Sequence, residues 1–295
     1  MKLADFIREA TGRLEGLYPG REARSIVMIL CETLLGTKSY THIVEPGYMV
    51  PAEMEQTLEA AMQRLCGGEP LQYVTGQADF FGRTFKVGPS VLIPRPETEL
   101  LCREAIDRAH RMMSMRPACC KPSLRVLDLC TGSGCIAWTM ALELPGVEVV
   151  GVDISRDALQ TASSQDFPEI RENGSRISFV EADVLETGSF PDLGRFDIIL
   201  SNPPYIKESE KVQMRRNVLD HEPSLALFVP DEDPQIFYRA IASLAKRLLE
   251  SGGFGMVEIN EEECLGTQEV MRDAGFSGNL LMRDLNDRGR FVIFS

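Results

Sequence analysis

From residue 124 to the end, the sequence alternates short apolar, β-branched runs with longer stretches of helical character. Strand-like runs occupy residues 124–130, 147–154, 176–183, 196–201 and 253–259, and helical stretches such as residues 234–250 fill the gaps. A helix between successive strands makes each connection a crossover, as in a parallel sheet covered on both faces. The pattern predicts an α/β domain: a mostly parallel sheet with helices on both faces. Two final runs, 279–285 and 290–294, flank the turn-rich Asn286-Asp287-Arg288-Gly289 and predict a terminal antiparallel hairpin.

The first 75 residues follow another rhythm. Ala23, Ile26, Val27, Leu30, Leu34 and Leu35 recur at spacings of three and four, and Met54, Leu58, Ala61, Met62 and Leu65 do the same. Residues 1–75 are therefore expected to form a small all-α domain. With seven basic and ten acidic residues and no chemical motif, it is expected to dock a substrate, with plain structural support as the alternative. Residues 76–93 contain Phe80-Phe81-Gly82-Arg83-Thr84-Phe85-Lys86-Val87, a β-hairpin signature around a glycine, expected to connect the helical domain to the domain at 94–295. Pro94 and Pro96 end extended structure, and Glu97-Thr98-Glu99 supplies the acidic first turn of a helix.

Composition narrows the function classes. Forty-four acidic against 31 basic residues give a net charge of −13. That balance argues against a surface built to grip phosphate backbones and favours a protein or small-molecule partner. There is no apolar run of about 18 residues to span a membrane, and the N-terminus lacks the apolar core of a signal peptide. The eight cysteines form no C-x-x-C pair, and only three histidines accompany them. No structural metal is expected, Cys119 and Cys120 read as free thiols, and a reducing, cytoplasmic setting follows.

Ligands of such sheets bind at the carboxyl ends of the strands. The first strand ends in Asp128-Leu129-Cys130-Thr131-Gly132-Ser133-Gly134, where Gly132 and Gly134 permit a tight turn and close backbone approach. No third glycine follows at dinucleotide spacing and no Gly-Lys-Ser/Thr is present, so pyrophosphate is not the expected ligand. Asp153, nineteen residues past Gly134 at the tip of the second strand, suits two ribose hydroxyls; the competing role is a helix N-cap. Asp183 and Val184, ending the third strand, could accept from an adenine amino group and wall its ring. Together the three strand ends point to an adenosyl ligand without phosphates.

The fourth strand runs into Ser201-Asn202-Pro203-Pro204-Tyr205. Two prolines stop both sheet and helix, which frees the Asn202 side chain and the Pro203 carbonyl to face a cleft. Two such acceptors suit a planar NH₂ group: they orient its nitrogen lone pair toward a sulfonium methyl and stabilise the charge that develops. Tyr205 is expected to form an aromatic wall beside it.

Asp-x-x-Thr-Gly-Ser-Gly, Asp153 and Asn-Pro-Pro-Tyr resemble the class I methyltransferase fold, in the branch that methylates exocyclic or amide nitrogens. Gly68-Glu69-Pro70-Leu71-Gln72-Tyr73-Val74-Thr75-Gly76, Leu92-Ile93-Pro94-Arg95-Pro96-Glu97-Thr98-Glu99 and Glu222-Pro223-Ser224-Leu225-Ala226-Leu227 extend the likeness over nearly the whole chain. They resemble the protein-glutamine N5-methyltransferases that act on peptide chain release factors. The resemblance implies S-adenosylmethionine as cofactor, held by Cys130, Thr131, Gly132, Ser133, Gly134, Asp153, Asp183 and Val184 with Asn202 at its reacting end. It implies release factors as partners, their Gly-Gly-Gln glutamine held by Asn202, Pro203, Pro204 and Tyr205. Three features depart from the family pattern: Cys130 replaces a frequent glycine, Val184 a larger ring beside adenine, and Asp231-Glu232-Asp233-Pro234 a glycine-rich stretch.

Three alternatives use the same scaffold. A sister family methylates a ribosomal-protein glutamine and shares Cys-Thr-Gly-Ser-Gly-Cys-Ile-Ala; residues 94–99 and Arg283-Asp284-Leu285 with Arg288 and Arg290 favour release factors instead. DNA adenine-N6 or cytosine-N4 methyltransferases use the loop on a flipped base, against which the acidic charge stands. A non-catalytic binding module would need a broken loop or cofactor end, and neither is broken.

Overall fold

The computed structural model describes residues 1–115, 123–284 and 286–295, and these divide into two compact units. Cys119, Cys120 and Leu285 lie outside the described residues.

The first unit comprises Met1–Gln77 with Met214–His221. Its helices α1 (Leu3–Leu14), α2 (Gly20–Leu35) and α3 (Ala52–Cys66) each bury one stripe. In α1 the stripe is Leu3, Phe6, Ile7, Ala10 and Leu14; in α2 it is Ala23, Val27, Leu30 and Cys31; in α3 it is Leu58, Ala61, Met62 and Leu65. These merge into one core, on which Ile26, Leu34, Leu35 and Met54 pack half-buried. The sequence spacing thus marked the right faces, because side chains three and four apart share one side of a helix. Gly36, at φ +67°, ends α2 in the left-handed conformation that glycine adopts without penalty.

The second unit comprises Ala78–Gln213 and Glu222–Ser295. A hairpin, Gln77–Phe80 with Arg83–Lys86, turns through Phe81 and Gly82, both at positive φ as a two-residue turn of this kind requires. Phe80 and Phe85 are buried in the unit's main core beside Trp138 and Ala105.

The sheet has seven strands: β1 (Arg125–Leu129), β2 (Glu148–Asp153), β3 (Arg176–Glu181), β4 (Phe196–Ser201), β5 (Leu249–Glu258), β6 (Asn279–Arg283) and β7 (Gly289–Phe294). Their spatial order is β6-β7-β5-β4-β1-β2-β3. The first five run parallel, whereas β7 is antiparallel to both β5 and β6, and β6 and β7 form the expected terminal hairpin. Helices α4 (Pro96–Met115) and α5 (Cys135–Glu143) share one core with the sheet; α7 (Ile236–Leu248) shares the other. Alternate residues of the central strands feed opposite layers: Val126 and Ile198 one, Leu127 and Ile199 the other. Every residue of β4 is buried, which is why its sequence shows no polar alternation. The α/β class, the mostly parallel sheet and its antiparallel close all hold. No helix among the described residues is long and apolar enough to cross a membrane.

The antiparallel edge rests on one close contact. Gly255 of β5 pairs with Phe294 of β7, and a Cβ built on Gly255 would lie 2.1 Å from the Phe294 ring. Phe294 is fully buried, so the ring has nowhere to retreat. Gly255→Ala should destabilise the protein by about 1–3 kcal/mol through overpacking. Urea unfolding should also show the double variant with Phe294→Leu recovering part of that loss; equal losses in both would separate the effect from this contact.

Candidate active site

The topological switch of the sheet lies between β1 and β4, whose successors depart to opposite sides. Ser201 pairs with Leu129 there, and its Oγ donates to the Leu129 carbonyl at 2.7 Å. The loops after both strands therefore leave the sheet side by side, at the place where such sheets bind ligands.

The loop after β1 takes left-handed conformations at Cys130 (φ +60°), Gly132 (φ +53°) and Gly134 (φ +79°). Two of these are glycines; Cys130 carries its Cβ into a region that costs an L-residue about 1–2 kcal/mol. Burial pushes its thiol well above the ordinary range, so it remains a thiol and not a nucleophilic thiolate. The fully buried Asp128 holds the loop from beneath: Thr131 Oγ1 donates to its Oδ2 at 2.5 Å and the Ala137 N–H at 3.1 Å.

Asp153, at the tip of β2, joins two strand ends. Its Oδ2 accepts the Gly132 N–H at 2.9 Å and its Oδ1 the Ser155 N–H at 3.0 Å. The N-cap of helix α6 (Arg156–Ser163) is Ser155, whose hydroxyl accepts from the Ala158 N–H, so the cap role belongs to the serine. Burial raises the Asp153 carboxyl above its usual range, opposed by these backbone donors. After β3, the Leu185 N–H donates to Asp183 Oδ1 at 2.8 Å, while Val184 is buried.

These ends enclose a cleft of about 230 Å³. Of the residues named from sequence, Cys130, Thr131, Gly132, Ser133, Asp153, Asp183, Val184, Asn202 and Pro204 line it. Gly134, Pro203 and Tyr205 are not among its lining residues. Gly134 packs against Trp138, Ala162 and Phe179, and the Tyr205 hydroxyl turns to Glu258 Oε1 at 3.1 Å.

Four residues without an assigned role in the sequence belong here. Thr98, buried in the first turn of α4, receives the Asn202 Nδ2 donor at 3.2 Å and donates to Glu258 Oε2 at 2.7 Å. Arg95 lines the cleft and donates to Glu222 Oε1 at 2.6 Å, while Glu222 Oε2 accepts the Ile93 N–H. Motif stretches 92–99 and 222–227 are thereby joined beside the cleft. The only sequence signal for these partners was the motifs themselves and an acidic residue ending an apolar strand.

The donor set fits S-adenosylmethionine. Arg95, the only cation among the lining residues described, is already paired with Glu222, so no free cation awaits a phosphate. Asp153 and Asp183 suit the hydroxyls and amino group of adenosine, and a ligand with a positive sulfonium is favoured beside carboxylates. Gly132 supplies the open approach: a Cβ there would meet nothing within 4 Å. Among the described residues no group of side chains could hold a metal ion.

The Methyltransferase small domain family matches residues 97–223, and the PrmC N-terminal domain family matches residues 5–76. A release factor glutamine methyltransferase of Bacteroides thetaiotaomicron is 39% identical, covering 88% of this chain and 87% of its own. One from Flavobacterium psychrophilum is 35% identical over 99% of this chain and 98% of its own. A third, from Chlorobaculum tepidum, is 42% identical over 80% and 78% respectively.

Asp128 generates a pH prediction. Burial pushes its carboxyl up to about 7 against the donors from Thr131 and Ala137, and its Oδ1 has no hydrogen-bond partner among the described residues. Between about pH 4 and about pH 7 the native chain keeps a proton that the unfolded chain releases. This group's stabilisation is therefore full below about pH 4 and falls as pH rises, by up to about 1.4 kcal/mol per unit, levelling off above about pH 7. Asp128→Asn should lack that slope. Urea unfolding from about pH 5 to about pH 7 tests it: parallel curves for parent and variant would mean that Asp128 ionises normally.

Proposed function

The chain belongs to the release factor glutamine methyltransferase family, and from that membership we propose that it methylates the side-chain amide nitrogen of the Gly-Gly-Gln glutamine in peptide chain release factors. It is an S-adenosylmethionine-dependent methyltransferase. The observation that carries the site reading is Asn202, on the loop after β4, lining the same cleft as Asp153 and Asp183. The ribosomal-protein alternative is not favoured, since relatives matched over most of the chain bear the release-factor name.

S-adenosylmethionine supplies an electrophilic methyl on a sulfonium centre. In the proposed arrangement, Asp153 accepts the ribose hydroxyls, Asp183 the adenine amino group, and Val184 backs the ring. The turn at Cys130, Thr131, Gly132 and Ser133 lines the methionine end, with Gly134 packed behind it. Asn202 Oδ1 and the Pro203 carbonyl accept the two N–H bonds of the glutamine amide. Held this way, the nitrogen turns a lone pair toward the methyl, both oxygens stabilise its growing positive charge, and loss of one N–H proton to solvent leaves the neutral N-methyl amide. Pro204 keeps the loop rigid, and Tyr205 closes it from behind through Glu258. The proposed place of action is the cytoplasm, with protein and not nucleic acid as the direct partner, in keeping with the net charge of −13.

Mass spectrometry of a release factor incubated with enzyme and labelled S-adenosylmethionine should find one methyl on the Gly-Gly-Gln peptide. Asn202→Ala should lower kcat by roughly 10²–10³. Its cofactor affinity, by calorimetry, should stay within a few fold. Near-parental turnover in this variant would remove Asn202 from the amide clamp.

Residues 1–75 are proposed to dock the protein substrate. Tyr40, Ile43 and Val44 of the first unit leave more than half their surface exposed, at 57%, 66% and 61%. Replacing all three with Ser should raise KM for intact release factor while sparing a short Gly-Gly-Gln peptide. An unchanged KM on the intact protein would take docking away from this patch.

A further inference from the structure

We infer that Thr98, held by the buried carboxylate of Glu258, is a positioning residue that fixes which end of the Asn202 amide faces the substrate. This rests on the reading of Asn202 as an amide clamp. An asparagine side chain presents an acceptor at one end and two donors at the other, and the ends are nearly identical in shape. A clamp for an NH₂ group works only with the oxygen forward; the reversed amide would set donors against donors. Something must choose the orientation.

The choice is built from three atoms in series. Glu258 is 2% exposed, and its carboxylate, with Thr98 and Tyr205 both donating to it, acts here as an acceptor. Thr98 Oγ1 donates to Glu258 Oε2 at 2.7 Å, which commits the single hydroxyl proton of Thr98. The Thr98 oxygen can then offer only a lone pair to Asn202, and it receives Asn202 Nδ2 at 3.2 Å. With Nδ2 engaged, Oδ1 is the end left for the cleft. Thr98 is itself 2% exposed, so water does not compete for its proton.

The same carboxylate holds the far end of the loop. Glu258 Oε1 accepts from the Tyr205 hydroxyl at 3.1 Å, and the Glu258 carbonyl accepts from Tyr238 at 3.1 Å. Asn202 and Tyr205 are thus tied, one through Thr98 and one directly, to the last residue of β5. Burial raises the Glu258 carboxyl above its usual range, while the donors from Thr98 and Tyr205 oppose that rise.

A double-mutant cycle on the full chain tests the assignment. Thr98→Val keeps the shape and removes the hydroxyl; Thr98→Ser keeps the hydroxyl and removes a methyl. Thr98→Val should lower kcat on a Gly-Gly-Gln peptide by about 10–100-fold, the scale of a misoriented reacting group. Thr98→Ser should stay within about threefold of the parent, and calorimetric affinity for S-adenosylmethionine should stay within about threefold in both variants. In an Asn202→Ala background, Thr98→Val should cost less than about twofold, because the residue it orients is gone. Parental kcat in Thr98→Val overturns the inference while the clamp stands, provided Asn202→Ala is impaired. An equal loss in both backgrounds, or loss of cofactor binding in Thr98→Val and in Thr98→Ala alike, overturns it by making Thr98 merely structural. Full activity in Asn202→Ala would remove the clamp, and the inference with it.

Discussion

Pairing of Leu129 with Ser201 sets the level at which two strands leave the sheet, and the site depends on that level. Neighbouring parallel strands share a slanted hydrogen-bond ladder, so their ends are in register only if the ladder is. The Ser201 hydroxyl on the Leu129 carbonyl closes the last rung. Beyond it, Cys130 begins one loop and Asn202 the other. A shift of one residue would turn every side chain of β4 to the opposite face, exchanging the residues that fill the two cores and moving Asn202 out of step with Cys130.

Around that rung, the cleft is held by carboxylates that the interior raises and backbone or hydroxyl donors lower. Asp128 anchors the glycine turn, Asp153 joins the turn to the end of β2, and Glu258 gathers Thr98 and Tyr205. Each buried acid carries a desolvation cost that its donors offset, and for Glu258 the charge of Arg290 adds to them. The left-handed Cys130 adds backbone strain at the same place. Strain and buried charge collect at the loop ends, whereas the strands behind them are apolar and fully packed. That division is expected where a rigid scaffold holds reactive groups in place.

Much of this was legible beforehand. The strands at 176–183 and 196–201 begin at the residues predicted; the second is a buried, mostly apolar run, while the first lies at the sheet edge and alternates Arg176 and Ser178 with Ile177 and Phe179. The strand read as 253–259 starts earlier, at Leu249, which pairs with Phe196; the register then slips across residues 250–253 before Phe254 pairs with Ile198, so the glycines do mark a break in the ladder although the strand spans it. The hairpin at 77–86 was visible as a hairpin, yet its phenylalanines belong to the main core of the second unit. The segment Met214–His221 groups with the helical unit, with nothing in its sequence to say so.

What the sequence by itself determined is the set of parts: which faces are apolar, which turns need glycine, which strand ends carry Asp153, Asp183 and Asn202. These are local properties, written in spacing and residue type. What only the tertiary structure decided is partnership. Thr98 and Glu258 are 160 residues apart, Arg95 and Glu222 127, Asn202 and Thr98 104. A hydrogen bond across such separations leaves no periodicity for a sequence to display. It exists because the sheet order carries β5 beside β4 and sets the first turn of α4 against their carboxyl ends. The chain names its acceptors and donors; the packing of strands and helices assigns each donor its acceptor.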